Sequence, residues 1–217
     1  MSKNAIVLLS GGMDSLVSLA LAQKEYTQTF ILFADYGQKT LSKEKECFHK
    51  IADFYQIPQE NRKVFSFDFL KSLGKSSLTD SDIPVSHFNE NSPSMPSSYV
   101  PFRNTMMIAA AVAWAEVSET ESIFIGANEL DATGYPDCRS DYFNAYQKLI
   151  SIGANNKKIT LQTPIIKMTK AQIIQLGMSY NAPFELSWSC YKNLDVPCGE
   201  CDSCHLRLDG FKELGLI

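Results

Sequence analysis

A short apolar run, "NAIVLLS" at residues 4 to 10, breaks at Gly11-Gly12 and resumes at once in the apolar stretch "SLVSLALAQKE" at 15 to 25. A run of this length bounded by glycines reads as a strand buried on both faces, and the longer stretch after it reads as a helix. A strand–glycine turn–helix unit aims unpaired helix N–H groups and the positive end of the helix dipole at the turn, which suits it to an anion. The glycines also let a ligand approach the backbone closely.

Two familiar phosphate loops are excluded. A Walker A loop needs a lysine after its last glycine, and a dinucleotide fingerprint needs G-x-G-x-x-G; "SGGMDS" (10 to 15) has neither. Asp14 stands beside the glycines. A carboxylate there would repel polyphosphate unless a divalent cation lies between them, which points to a nucleotide bound with Mg2+.

Four further segments read as strands: "TFILFADYG" (29 to 37), "KVFSFDF" (63 to 69), "SIFIGAN" (122 to 128) and "ITLQTPII" (159 to 166). Helical patterns cover 42–55, 104–117, 141–153 and 169–177. In the first, Cys47, Phe48, Ile51, Phe54 and Tyr55 recur at helical spacing with Lys and Glu between them. Asn104 is a candidate N-cap, Thr169 and Gln172 have capping-box spacing, and Gly177 is a C-cap or a tolerated interior glycine. The alternation predicts an α/β fold: a five-stranded parallel, doubly wound sheet, binding its ligands beyond the carboxyl ends of the strands. Residues 72–101 are rich in Ser, Pro and Asn and lack periodicity, as expected of a substrate lid or a surface insertion.

The 217 residues suit one domain with a small appendage. A net charge of -4 argues against broad contact with nucleic acid, although a local basic groove stays open. The apolar run at the N-terminus is too short for a signal peptide core, and no stretch reaches a membrane span, so a cytoplasmic protein is expected. Six cysteines in such a chain are thiols or metal ligands rather than disulfides. Cys190, Cys198, Cys201 and Cys204 form a C-x7-C-x2-C-x2-C pattern, which favours structural tetrahedral Zn2+, with an iron–sulfur cluster as the rival. His205 reads as a neighbour of that site, not a ligand. The expected boundaries are 1–185 for the α/β domain and 186–217 for a small helical zinc element.

The S-G-G-x-D-S turn resembles the PP-loop of the ATP pyrophosphatase superfamily, whose fold is adenine nucleotide alpha-hydrolase-like and whose members cleave ATP between the α and β phosphates. Together with "VPFRN" (100 to 104), "GANELDATGYPDCR" (126 to 139) and the cysteine tail after "SWSCY", it makes nearly the whole chain resemble the 7-cyano-7-deazaguanine synthase family. That resemblance implies a ligase joining ammonia to 7-carboxy-7-deazaguanine at the expense of ATP, in queuosine biosynthesis. It implies ATP contacts at Leu8, Leu9, Ser10, Gly11, Gly12, Met13, Asp14, Ser15 and Leu16, and at Tyr36 and Gln38 after the second strand. Substrate contacts are expected from Arg103, Asn128, Asp131, Tyr135 and Asp137, and catalysis from Asp14, Ser15, Arg103 and Arg139. A homodimer is expected, with no nucleic acid or membrane partner. Lys167 and Lys170 either approach phosphate or stay solvated, and His49 and His87 have no evident acid–base role. Two rivals remain: a tRNA-thiolating ATP pyrophosphatase, for which Cys138 would be the thiol to test, and a nucleotide-binding module without turnover.

Overall fold

The computed structural model describes residues 3–87, 95–130 and 134–217. Asp131 and the middle of the 72–101 segment therefore lie outside the described residues.

Five strands, β1 (Asn4–Leu8), β2 (Gln28–Asp35), β3 (Arg62–Ser66), β4 (Ser122–Ile125) and β5 (Thr160–Gln162), pair in the order β3-β2-β1-β4-β5. All four pairings are parallel, and Leu8 stands opposite both Leu32 of β2 and Ile125 of β4, so β1 and β4 end level while β2 runs on to Asp35. The helices are α1 (Met13–Glu25), α2 (Leu41–Phe54), α3 (Asp68–Ser72), α4 (Arg103–Val117), α5 (Ser140–Gly153), α6 (Lys170–Ser179) and α7 (Asp202–Glu213).

Side-chain alternation along β1 divides the core. Ala5 and Val7 join Leu16 of α1, Phe48 of α2 and Ile173 of α6 on one face. Ile6 and Leu8 join Ile108 and Trp114 of α4 with Phe143 and Tyr146 of α5 on the other. Each Val, Leu, Ile or Phe among these, removed from water, stabilises by about 1.5–3 kcal/mol. Helices on both faces make the sheet doubly wound, as the alternation of segments requires.

Boundaries moved where tertiary contacts outweigh pattern. The third strand stops at Ser66: Phe67 N–H closes the ladder on Asp35 O at 2.6 Å and the chain turns into α3. The fifth strand keeps only three residues, since Pro164 has no N–H to offer a ladder. Phe54, at the end of α2, is half exposed rather than core. Asn104 is not the N-cap: α4 starts at Arg103 after Phe102, which adopts φ 56°. The capping box at Thr169 and Gln172 forms, with bonds of 3.3 and 2.9 Å. Gly177 lies inside α6, where any side chain would strike Phe184 and Val17.

The ends of the polar 72–101 segment pack back on the body. Leu78 and Val100 join Ala34, Tyr36 and Leu70, and Ser77 N–H reaches Ser97 O at 2.8 Å. At the C-terminus α7 lies on α6, with Gly210 fitted against Ile174 and Lys170. No described helix is long and apolar enough to cross a membrane.

Candidate active site

β1 lies between β2 and β4, and the helices that follow β1 and β4, α1 and α5, cover opposite faces. The strands' carboxyl ends therefore diverge into a crevice at this switch point. A cavity of about 1100 Å³ opens there, at the upper end of what small-molecule sites occupy.

The phosphate loop forms one wall. Ser15 Oγ accepts from Ser10 N–H at 3.1 Å and donates to Gly12 O at 2.9 Å, so a helical side chain braces the turn before it. Gly11 takes φ +79°, and a Cβ there would stand 2.5 Å from Glu44 O, so both angle and space demand glycine. Trp188 N–H bonds to Gly11 O at 2.9 Å and ties the loop to the segment leading to Cys190. Asp14 receives Lys170 Nζ at 2.9 Å on both carboxylate oxygens; the lysine side chain is 11% exposed. Such a partly buried pair is costly to break from either side.

Behind the loop, Leu8, Leu32, Ala34, Met107 and Ile125 line an apolar stretch suited to a flat ring. Beyond it lies a polar floor. Arg103 Nη1 donates to Tyr36 Oη at 2.9 Å. Burial pushes the Tyr36 phenol up to about 12 against the pull of that guanidinium. Glu44 accepts from Thr40 Oγ1 at 2.6 Å and from Gln38 Nε2 at 2.9 Å. Burial raises its carboxyl, opposed by those two hydrogen bonds and by Arg103. Tyr135 bonds Ser98 through its hydroxyl and stacks on Tyr99 at 5.8 Å.

The four tail cysteines converge, with all ligand atoms within 4.8 Å of one another and Cys198 Sγ 3.9 Å from Cys204 Sγ. Four sulfurs at about 2.3 Å from a tetrahedral ion would be about 3.8 Å apart, so the donor set fits. The N–H groups of Lys192, Asn193 and Cys198 point at Cys190 Sγ from 3.3 to 3.4 Å, as thiolate ligands require. At Cys198 burial is outweighed by the N–H groups of Glu200 and Cys201, which bring the thiol down to about 7. His205 Nε2 faces Asp209 at 2.8 Å.

A family profile described as "Queuosine biosynthesis protein QueC" matches residues 4–215. The chain belongs to this family. Over 213 residues it is 47% identical to the 7-cyano-7-deazaguanine synthases of Chlorobium phaeobacteroides and Chloroherpeton thalassium, covering 98% of this chain and 93% of each relative. The synthase of Thermoplasma volcanium is 44% identical over 99% of this chain and 89% of its own. Among solved structures, the U34-tRNA thiolase NcsA of Methanococcus maripaludis superposes with a TM-score of 0.52 at 15% identity, over 98% of this chain and 66% of that one. An NMN synthetase from Francisella tularensis gives 0.51 at 14% identity, over 100% and 74%. These two share the adenine nucleotide alpha-hydrolase-like fold.

In this QueC-family chain the expected site residues divide. Leu8, Leu9, Ser10, Gly12, Met13, Asp14, Ser15, Tyr36, Arg103, Asn128, Tyr135 and Arg139 line the cavity, Arg139 as an exposed side chain. Gly11, Leu16, Gln38 and Asp137 are not part of its lining. Leu16 belongs to the core. Gln38 turns back to accept Tyr36 N–H at 3.0 Å and donate to Ala34 O at 3.2 Å. Asp137 accepts Asn104 N–H at 3.2 Å, and its own carbonyl receives Asn104 Nδ2 at 2.8 Å, so this pair fixes the start of α4. Asn128, though on the wall, donates to Ile165 O and Met168 O and ties β4 to the loop after β5. Cys138 is buried against Asn104 Nδ2, and burial with nearby Asp137 pushes its thiol up to about 11.

Sequence reasoning missed Glu44, which reads as one charge on the solvated face of α2. It left Lys170 undecided. Lys170 follows a cap residue at the start of α6, but nothing local says that this start abuts Asp14, 156 positions earlier.

Proposed function

We infer that this chain is an ATP-dependent ligase that converts 7-carboxy-7-deazaguanine and ammonia to 7-cyano-7-deazaguanine for queuosine biosynthesis. One observation carries the mechanism: the braced phosphate loop and the Arg103 floor open on the same cavity, so a nucleotide and a carboxylate can be held side by side.

A carboxylate is a poor electrophile because oxide would have to leave. Adenylation replaces oxide with AMP, ammonia then attacks, and an amide forms. A second adenylation of the amide oxygen lets the nitrile form by elimination, so two ATP are used per nitrile. Ser10, Gly12 and Ser15 would hold the phosphates, with Asp14 holding Mg2+, which supplies charge neutralisation as pyrophosphate departs. Asp14 and Lys170 would separate as the metal-bound nucleotide enters, freeing Lys170 Nζ to face a phosphate oxygen. Arg103 offers its remaining N–H groups to the substrate carboxylate, where a planar fork fits two oxygens. Arg139, at the edge of the cavity, would meet charge developing there. Zn2+ held by the four cysteines would fix the segment from Trp188 onward, and with it Gly11. We place the protein in the cytoplasm as a homodimer using free ammonium.

The thiolase reading needs a reactive thiol beside the loop. Cys47 and Cys138 are both buried with thiols raised by that burial, which suits packing and not sulfur transfer. The deciding experiment incubates metal-replete protein with Mg-ATP, ammonium and 7-carboxy-7-deazaguanine, and quantifies nucleotides and purines. About two AMP per nitrile is expected from this stoichiometry; ADP in place of AMP would overturn it.

A further inference from the structure

The ligase reading leaves the nucleophile without a place. Ammonia at neutral pH is ammonium, which holds its proton as a lysine does and cannot attack until it gives that proton up. Among the described residues the cavity carries two carboxylates that the adenylation steps do not use, Glu44 on the polar floor and Asp202 at the start of α7, and Glu44 is the one that faces Arg103.

Glu44 lies in the first turn of α2, directly behind the phosphate loop, since its backbone oxygen is what excludes a side chain at Gly11. Its side chain is enclosed by protein and open to the cavity. Each oxygen accepts one hydrogen bond, from Thr40 and from Gln38. A carboxylate has about four acceptor positions, so about two remain. Gln38 is itself held by Ala34 O and Tyr36 N–H, so the carboxylate is oriented and not free to swing to solvent.

Charge balance favours a small cation there. The groups acting on Glu44 are the Arg103 guanidinium from α4, the Tyr36 phenol after β2, the Tyr191 phenol from the cysteine segment, and the Cys47 thiol on its own helix. Both phenols and the thiol are pushed up by burial and stay neutral, so Arg103 and Glu44 offset each other here, as Arg139 and Asp202 do elsewhere on the cavity wall. Substrate brings a second carboxylate to Arg103. One ammonium ion beside Glu44 would restore neutrality.

We propose, resting on the ligase reading, that Glu44 is the ammonium-binding site and the base that converts ammonium to the attacking ammonia. The Glu44 carboxylate takes one proton from ammonium, giving ammonia and a neutral carboxyl. The nitrogen lone pair forms the C–N bond at the adenylated carboxyl carbon, and the C–O bond to the phosphate breaks. AMP leaves with that electron pair and the second nitrogen proton, and an amide remains. Burial favours the neutral carboxyl and so suits Glu44 to accept the proton.

The test separates the two half-reactions in the full-length, metal-replete protein. Exchange of labelled pyrophosphate into ATP, driven by 7-carboxy-7-deazaguanine, needs no ammonium. For Glu44→Gln, ammonium-dependent amide formation should fall about 10²-fold, the scale of a lost general base, with a raised KM for ammonium. Exchange should fall far less. Hydroxylamine, which is neutral at pH 7, should restore much of the lost rate as the hydroxamate. Equal losses in both assays would overturn the proposal and make Glu44 a group that orients the purine, as would undiminished use of ammonium. If Glu44→Gln does not fold, Glu44→Asp carries the same comparison, with a smaller loss confined to the ammonium step. No exchange in the unmodified protein would overturn the ligase reading and this proposal with it.

Discussion

The phosphate loop at 10–15 and the segment at 126–139 look alike in sequence, each dense in glycine and polar groups beyond a buried strand. In the structure they differ. Around the loop, Ser10, Gly12, Asp14 and Ser15 all line the cavity, and bonds among Ser10, Gly12 and Ser15 brace it from within. Among the described residues of the second segment, Asp137 and Asn128 hold α4 and the loop after β5, Cys138 accepts from Asn104 Nδ2, and Tyr135 and Arg139 face the cavity. A motif can therefore mark a scaffold as readily as a contact surface. The difference lies in how many of its polar side chains are committed to partners elsewhere in the fold: Asp14, held by Lys170, in the loop, against Asn128 and Asp137 in the second segment.

The largest effect should come from Asp14→Asn. Losing the metal-facing charge and the Lys170 pair is expected to lower kcat/KM by about 10²–10³-fold, read as AMP formation. A loss under tenfold would mean that the loop, too, is scaffold. Next is metal removal. Because Trp188 N–H bonds the loop two residues before Cys190, a chelator should weaken ATP binding as well as stability. We expect about 3 kcal/mol or more, a fall in Tm of at least about 6 °C; unchanged ATP affinity in the metal-free protein would cut this link.

Asp137→Ala sharpens the contrast from the other side. It should cost about 1–2 kcal/mol by uncapping α4, seen in denaturant melts, with little change in KM for the carboxylated purine. A tenfold rise in that KM at unchanged stability would return Asp137 to the substrate. The last effect, confined to alkaline pH and absent at neutrality, concerns Cys138. Its thiol is raised from 9.0 to about 11 in the fold, so the native state keeps a proton that the unfolded chain has lost. That contribution is intact below pH 9 and lost as pH rises toward 11, about 1 kcal/mol per pH unit within the window. Cys138→Ala should flatten this alkaline slope; an identical slope would show that the thiol is not the titrating group.

The sequence by itself determined the features encoded within a dozen or so neighbouring residues. Five strands with intervening helices, the glycine turn, the capping box at Thr169 and the cysteine spacing were all legible, because strand period, turn geometry and chelate reach act locally. Tertiary structure alone decided where side chains point once those elements pack. It sent Asp137 to α4, turned Gln38 back on its own strand, brought Lys170 to Asp14 across 156 positions, and opened Glu44 to the cavity from a helix that reads as merely amphipathic. The reason is physical: a polar group takes the partner that leaves it satisfied in the folded core, and packing of distant segments supplies that partner.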